Sequence, residues 1–291
     1  MKWFVAALAV AVSLTAVSAS AAPSRSDSPE WTRPIAPFHV IDTVYYVGSA
    51  GIAAWIIKTP TGLILLDAGM PAYAPTVEAN IRALGFRLAD VKIMLISHAH
   101  FDHSGGLARI KADSGARLIA SDGDRTALER GVYEGFEDVP AFNAPPVKVD
   151  RVIADGGGVT LGGVTLTAMI TPGHTRGCTN YLLTVRDRGK PHTAFFFCSA
   201  SVAANRLVPK PQYPGIVADY RRTFARLKAV KADVFLAPHA EFFDLAAKRA
   251  RLGGPGPNPF IVPGEMQTVV AALELGFRKA LAEQSARPAK P

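Results

Sequence analysis

The chain has 291 residues, 49% of them apolar, enough to bury the core of a single α/β domain of ordinary size. Its formal charge of +8 fits a nucleic-acid binder in magnitude, but Lys and Arg are dispersed along the chain, which excludes a basic recognition stripe. The remaining consequence is a weak pull on anionic small molecules.

The first residues carry an address. Lys2 gives a positive start, residues 3–17 an apolar run, and Ala19, Ser20 and Ala21 a small-residue cleavage pattern before the polar stretch 23–30. Residues 1–21 are therefore expected to be a signal peptide, leaving residues 22–291 as one domain. The apolar run is shorter than the roughly 20 residues a spanning helix needs, and no later segment is both long and uncharged enough, so no membrane span is expected. The mature protein is expected in the periplasm, as a monomer with no nucleic-acid partner.

Residues 44–47, 52–58 and 63–67 read as strands, and the turn at 59–62 makes a hairpin of the last two. A helix over 76–83 precedes an apolar strand at 91–96. A helix at 107–112 follows, and a strand at 117–120 leads into a helix at 125–129. Further strands are expected at 159–160, 164–170, 180–185 and 194–198. Ile216, Val217, Tyr220, Phe224 and Leu227 recur at helical spacing, so that helix packs one face on a sheet. A short strand at 234–236 and a Pro/Gly loop at 253–257 come before a last helix. The pattern predicts an α/β fold with two mixed sheets face to face and helices outside.

Directly after the 91–96 strand the chain reads SHAHFDHSGG, placing His98, His100, Asp102 and His103 within six residues. One such histidine is readily a satisfied strand end; four metal-ligand side chains together point to metal. An extended backbone turns residues i and i+2 to one side, so His98 and His100 converge on one ion while Asp102 and His103 face a second. His174, in the turn after the 164–170 strand, and His239, just past the 234–236 strand, sit at strand ends where α/β folds gather functional loops. His39 and His192 lack this setting and read as packing or surface residues. Asp67, at another strand end, reads as a turn residue or an orienter of the ligands.

These motifs resemble the metallo-β-lactamase superfamily, from about residue 40 to the last helix, and imply its four-layer αβ/βα sandwich. Most members, among them hydroxyacylglutathione hydrolases and lactonases, carry a metal-bridging aspartate between the fourth and last histidine motifs. Here that interval holds only Asp187, Asp219 and Asp233, none at the expected strand end, which reads FFFCSAS over 195–201. That segment is similar to the third subclass of metallo-β-lactamases. The resemblance implies two Zn2+ per chain, one on His98, His100 and His174 and the other on Asp102, His103 and His239. It implies Ser199 and Ser201 as contacts for the substrate carboxylate. Asn205 stands where many members have a tyrosine, and is expected to contact substrate as an oxyanion donor. The implied activity is hydrolysis of a small-molecule β-lactam by a zinc-activated water that Asp102 orients. Another exported hydrolase of the superfamily, a thioesterase or lactonase, and a non-catalytic zinc-binding protein are the alternatives.

Two cysteines remain. Cys198 as a thiolate suits zinc, as in another subclass of these enzymes. Cys178 begins the strand after His174, and a hairpin that brings it beside Cys198 makes a disulfide in an oxidising compartment.

Overall fold

The computed structural model describes residues 27–286, so the signal expected over residues 1–21 lies outside the described residues. Strands β1 (Phe38–Ile41), β2 (Val44–Tyr46), β3 (Trp55–Thr59) and β4 (Gly62–Leu66) form an antiparallel meander. The chain then alternates: α1 (Ala74–Ala83), β5 (Val91–Leu95), the single turn α2 (Phe101–Ser104), α3 (Leu107–Ser114), β6 (Arg117–Ser121), α4 (Asp122–Arg130) and β7 (Arg151–Ile153). Strands β4 to β7 are parallel, and the helices supply the crossovers that parallel pairing requires. The seven strands lie in chain order across one sheet.

The second sheet begins as a meander of β8 (Gly158–Leu161), β9 (Val164–Ile170), β10 (Thr179–Asp187) and β11 (Lys190–Phe196). Helix α5 (Ile216–Ala229) carries the chain back so that β12 (Val234–Leu236) joins β11 in parallel. Helices α6 (Leu245–Ala250) and α7 (Glu265–Ala286) follow. Among the described residues no helix is long and apolar enough to cross a membrane.

Alternation along β4 shows how the layers form. Leu63 and Leu65 point into one core with Val77 and Ile81 of α1 and Ile110 of α3; Ile64 and Leu66 point into the other, with Leu166, Tyr181 and Leu183 of the facing sheet. This second core continues beneath α5 and α7, where Tyr220 and Phe277 stack at 5.0 Å. Helices, sheet, sheet and helices give the four layers expected.

Two local expectations shift. Strand β7 was not anticipated, because only Ile153 of its three residues is buried and no apolar run marks it. His192 lies on β11, with Nδ1 3.8 Å from Asp233. Residues 52 and 53, expected as the start of β3, pair instead with the segment carrying His239: Ile52 bridges His239 and the Ala53 N–H donates to Pro238 O at 2.8 Å. That pairing joins the edge of one sheet's hairpin to the exit of a strand in the other.

Candidate metal centre

At the end of β5 the chain leaves the sheet at Ser97, whose N–H donates to Asp67 Oδ1 at 2.7 Å. His98 and His100 lie on the extended exit, and His100 (φ −87°, ψ 148°) is the residue before α2. Asp102 and His103 stand on the single turn α2, with the His103 ring 4.3 Å from that of His98. His174 comes from the loop between β9 and β10, and His239 follows β12.

The fold brings these six residues together as two groups. Within His98, His100 and His174, and again within Asp102, His103 and His239, one donor atom from each residue lies within 4.8 Å of the others. His98 and His174 bring their Nε2 atoms to 3.2 Å, as do His103 and His239. Asp102 Oδ2 is 3.1 Å from His103 Nε2 and 3.3 Å from His239 Nε2.

Burial holds His98 and His100 well below the usual histidine range and takes His174 down to about 4, so all three are neutral at physiological pH, the form that binds metal. Burial also penalises the Asp102 carboxylate, yet His103 and His239 beside it hold its pKa well below the ordinary value. Pairs of imidazole nitrogens converging in a buried pocket, with one ionised carboxylate, are a donor set that fits a zinc-like divalent cation.

In the three-histidine group two of the opposite ring atoms are held as well. His174 Nδ1 lies 2.8 Å from Ser201 O, and His98 Nδ1 lies 3.0 Å from Ser97 Oγ. Asp67, at φ 61°, belongs to neither group; its Oδ2 sits 4.0 Å from His103 Nδ1, beneath the centre. Asp187, Asp219 and Asp233 also stand outside both groups, and His39 bonds a backbone carbonyl at an exposed edge.

A cleft of about 380 Å³ opens over both groups, with Trp31, Tyr133 and Phe142 as its aromatic walls. Trp31 meets His239 edge-on at 5.4 Å, and Tyr133 stacks flat on His100 at 4.0 Å. None of the three was singled out from the sequence; isolated aromatics far from the histidines carry no local signal.

The remaining expected residues divide. Strand β11 ends at Phe196, so Ser199 and Ser201 lie on an irregular segment rather than alternating on a strand. Their hydroxyls are nevertheless 3.3 Å apart; Ser201 borders the cleft, and Ser199 is buried behind it.

Asn205 lies behind the loop that carries His174. It is buried, and its Nδ2 donates to Gly173 O at 3.2 Å, His174 O at 2.9 Å and Tyr220 Oη at 3.2 Å, while Oδ1 accepts from the Tyr133 hydroxyl at 3.3 Å. Its amide holds the backbone of the His174 loop, and the residue lines a small recess beside His100 and His174. Cys198 is not a metal ligand, being joined to Cys178 by a disulfide with Cα atoms 5.7 Å apart.

The sequence model described as the metallo-beta-lactamase superfamily matches residues 48–187. A subclass B3 metallo-beta-lactamase of Bradyrhizobium japonicum, BJP-1, is 50% identical, superposes with a TM-score of 0.87, and covers 89% of this chain and 98% of its own. The chain belongs to the metallo-β-lactamase superfamily. FEZ-1, a metallo-beta-lactamase from Legionella gormanii, is 36% identical with a TM-score of 0.84, over 88% of this chain and 99% of its own. Subclass B3 metallo-β-lactamases are thus structural neighbours of this chain over most of its length. A hydroxyacylglutathione hydrolase of Rhodospirillum rubrum is 30% identical over 45% of this chain and 38% of its own length. The chain spans half or less of the length of the first curated relatives it matches. Their likeness therefore speaks for the superfamily's hydrolase fold rather than for one substrate.

Proposed function

We propose that the protein is a zinc-dependent β-lactamase that opens the β-lactam amide of penicillins, cephalosporins or carbapenems, with two Zn2+ per chain. The observation that carries this reading is the donor set: three histidines in one group, Asp102, His103 and His239 in the other, and no carboxylate shared between them. Likeness to subclass B3 enzymes over most of the chain supports it.

His98, His100 and His174 would hold one ion, and Asp102, His103 and His239 the other. Zinc, when bound, supplies Lewis-acid polarisation of a carbonyl and lowers the pKa of water to about 7. Asp102, kept ionised by its two histidine neighbours, ligates and orients the proton of the attacking water. The Ser201 hydroxyl, at the cleft wall with Ser199 behind it, donates to the carboxylate beside the ring nitrogen. Trp31, Tyr133 and Phe142 cover the apolar side of the substrate and exclude bulk water. Hydrolysis adds water across the amide: the acyl carbon gains the hydroxyl and the ring nitrogen leaves with a proton.

The same reading places the protein in the periplasm after removal of residues 1–21, as a monomeric single domain over residues 22–291. The likeness to hydroxyacylglutathione hydrolases and to an acyl-coenzyme A thioesterase favours a second reading, hydrolysis of thioesters. Steady-state kinetics on one penicillin, one cephalosporin, one carbapenem and one glutathione thioester separate the two. A kcat/KM for the β-lactams at least a hundredfold above the thioester, on the order of 3 kcal/mol in transition-state stabilisation, is expected. The reverse preference makes the protein a thioesterase.

A further inference from the structure

A buried carboxylate that belongs to neither donor group ties two of the histidine-bearing segments together. Asp124 lies in the first turn of α4 and is 3% exposed. Its Oδ2 accepts from the Ala99 N–H at 2.9 Å and from the Thr175 hydroxyl at 3.0 Å, and its Oδ1 accepts from the Gly177 N–H at 2.9 Å. Ala99 stands between His98 and His100, and Thr175 follows His174. Every histidine of the three-histidine group is therefore adjacent in the chain to a residue held by this one side chain.

The packing around the contact is equally specific. Ser121, just before α4, donates its hydroxyl to Gly177 O at 2.6 Å. A Cβ on Gly177 would meet Asp124 N at 2.4 Å, and one on Gly123 would meet Arg176 C at 2.7 Å, so helix and loop touch backbone to backbone and only glycine fits at either place. The donors reaching Asp124 are peptide N–H groups and a hydroxyl rather than a cation. A buried carboxylate held this way is satisfied only while both loops keep their places. Asparagine has the same shape but one of its two ends is a donor, so it cannot accept all three bonds.

We propose that Asp124 is a positioning residue for the His98, His100 and His174 group, setting that group's metal affinity while leaving the Asp102, His103 and His239 group unaffected. This inference rests on the zinc reading above and adds a residue that acts through the ligands rather than on the substrate. Through Ala99 it fixes the peptide between two ligands, and through Thr175 and Gly177 it fixes the turn that presents the third. Loss of either hold lets the three imidazoles drift apart without touching the second group.

The test is zinc affinity, measured by competition with a chromophoric chelator in two backgrounds. His239→Ala leaves the three-histidine group intact, and His174→Ala leaves the other. Adding Asp124→Asn is expected to weaken zinc binding about 10- to 100-fold in the first background, and to change it by no more than about twofold in the second. Thr175→Val, which removes one donor and keeps the side-chain shape, is expected to shift affinity in the same direction by less, and it decides the matter if Asp124→Asn does not fold. Equal losses in both backgrounds, or none in either, overturn the positioning role. Failure of the unaltered protein to bind zinc overturns instead the metal reading on which the inference rests.

Discussion

Asn205 Nδ2 donates to the backbone carbonyl of His174 at 2.9 Å, which gives a residue expected to reach the substrate a second role, holding the His174 loop in place. The two roles have opposite signatures. Asn205→Ala leaves the carbonyls of Gly173 and His174 without this donor, and a loss of about 1–3 kcal/mol is expected. Thermal unfolding of the variant should show a fall of about 2–4 °C for each kcal/mol. An unchanged melting temperature with turnover reduced a hundredfold or more, the loss typical of an oxyanion donor, would return Asn205 to the catalytic role.

In the proposed reaction substrate anchoring would fall on Ser201 more than on Ser199, since of the two Ser201 borders the cleft. A hydrogen bond to a charged group contributes about 1.5–3 kcal/mol, so Ser201→Ala should raise KM for carboxylate-bearing β-lactams about tenfold or more. The contact exists in ground and transition states alike, and turnover should change little. Ser199→Ala should have a smaller effect of the same kind. A double variant with KM within twofold of the parent removes both serines from the binding site.

Asp102 faces two histidines and is ionised, so Asp102→Asn keeps the shape while removing the negative charge. Turnover should fall on the order of a hundredfold or more, because both a metal ligand and the acceptor for the attacking water are altered. Unchanged turnover would confine Asp102 to a structural role.

The disulfide joins the start of β10 to the segment that presents Ser199 and Ser201. With a sequence separation of 20 residues, it should contribute on the order of 3 kcal/mol. Cys198→Ser is expected to lose about that much in denaturant unfolding while retaining the metal content of the parent. Loss of one zinc with stability unchanged would make Cys198 a ligand after all.

The two donor groups were legible in the sequence because their chemistry is concentrated: HAHFDH packs four donors behind one apolar strand, and His174 and His239 each follow a strand end. The layered fold was legible for a similar reason, since β4 and β5 are near-continuous apolar runs. What escaped depends on contacts between distant segments. Nothing local marks Tyr133 as the ring that stacks on His100, or Asp124 as the acceptor for Ala99 and Gly177. The hold of Asn205 on the His174 loop was hidden because position relative to a family pattern says where a residue sits, whereas its hydrogen bonds are set by the loop carrying Gly173 and His174. Residues 52 and 53 have the composition of a strand, but their partner is the His239 segment, which local periodicity cannot reveal.

The central claim is that hydrolysis of a β-lactam depends on zinc held at both donor groups. The most direct measurement is a titration: the protein is stripped with a chelator, zinc is returned in steps, and carbapenem or cephalosporin hydrolysis is followed against zinc bound per chain. No hydrolysis is expected in the stripped protein, and the maximum should be reached at two ions per chain. Full activity without zinc, or a maximum at one ion with no further binding, would contradict it.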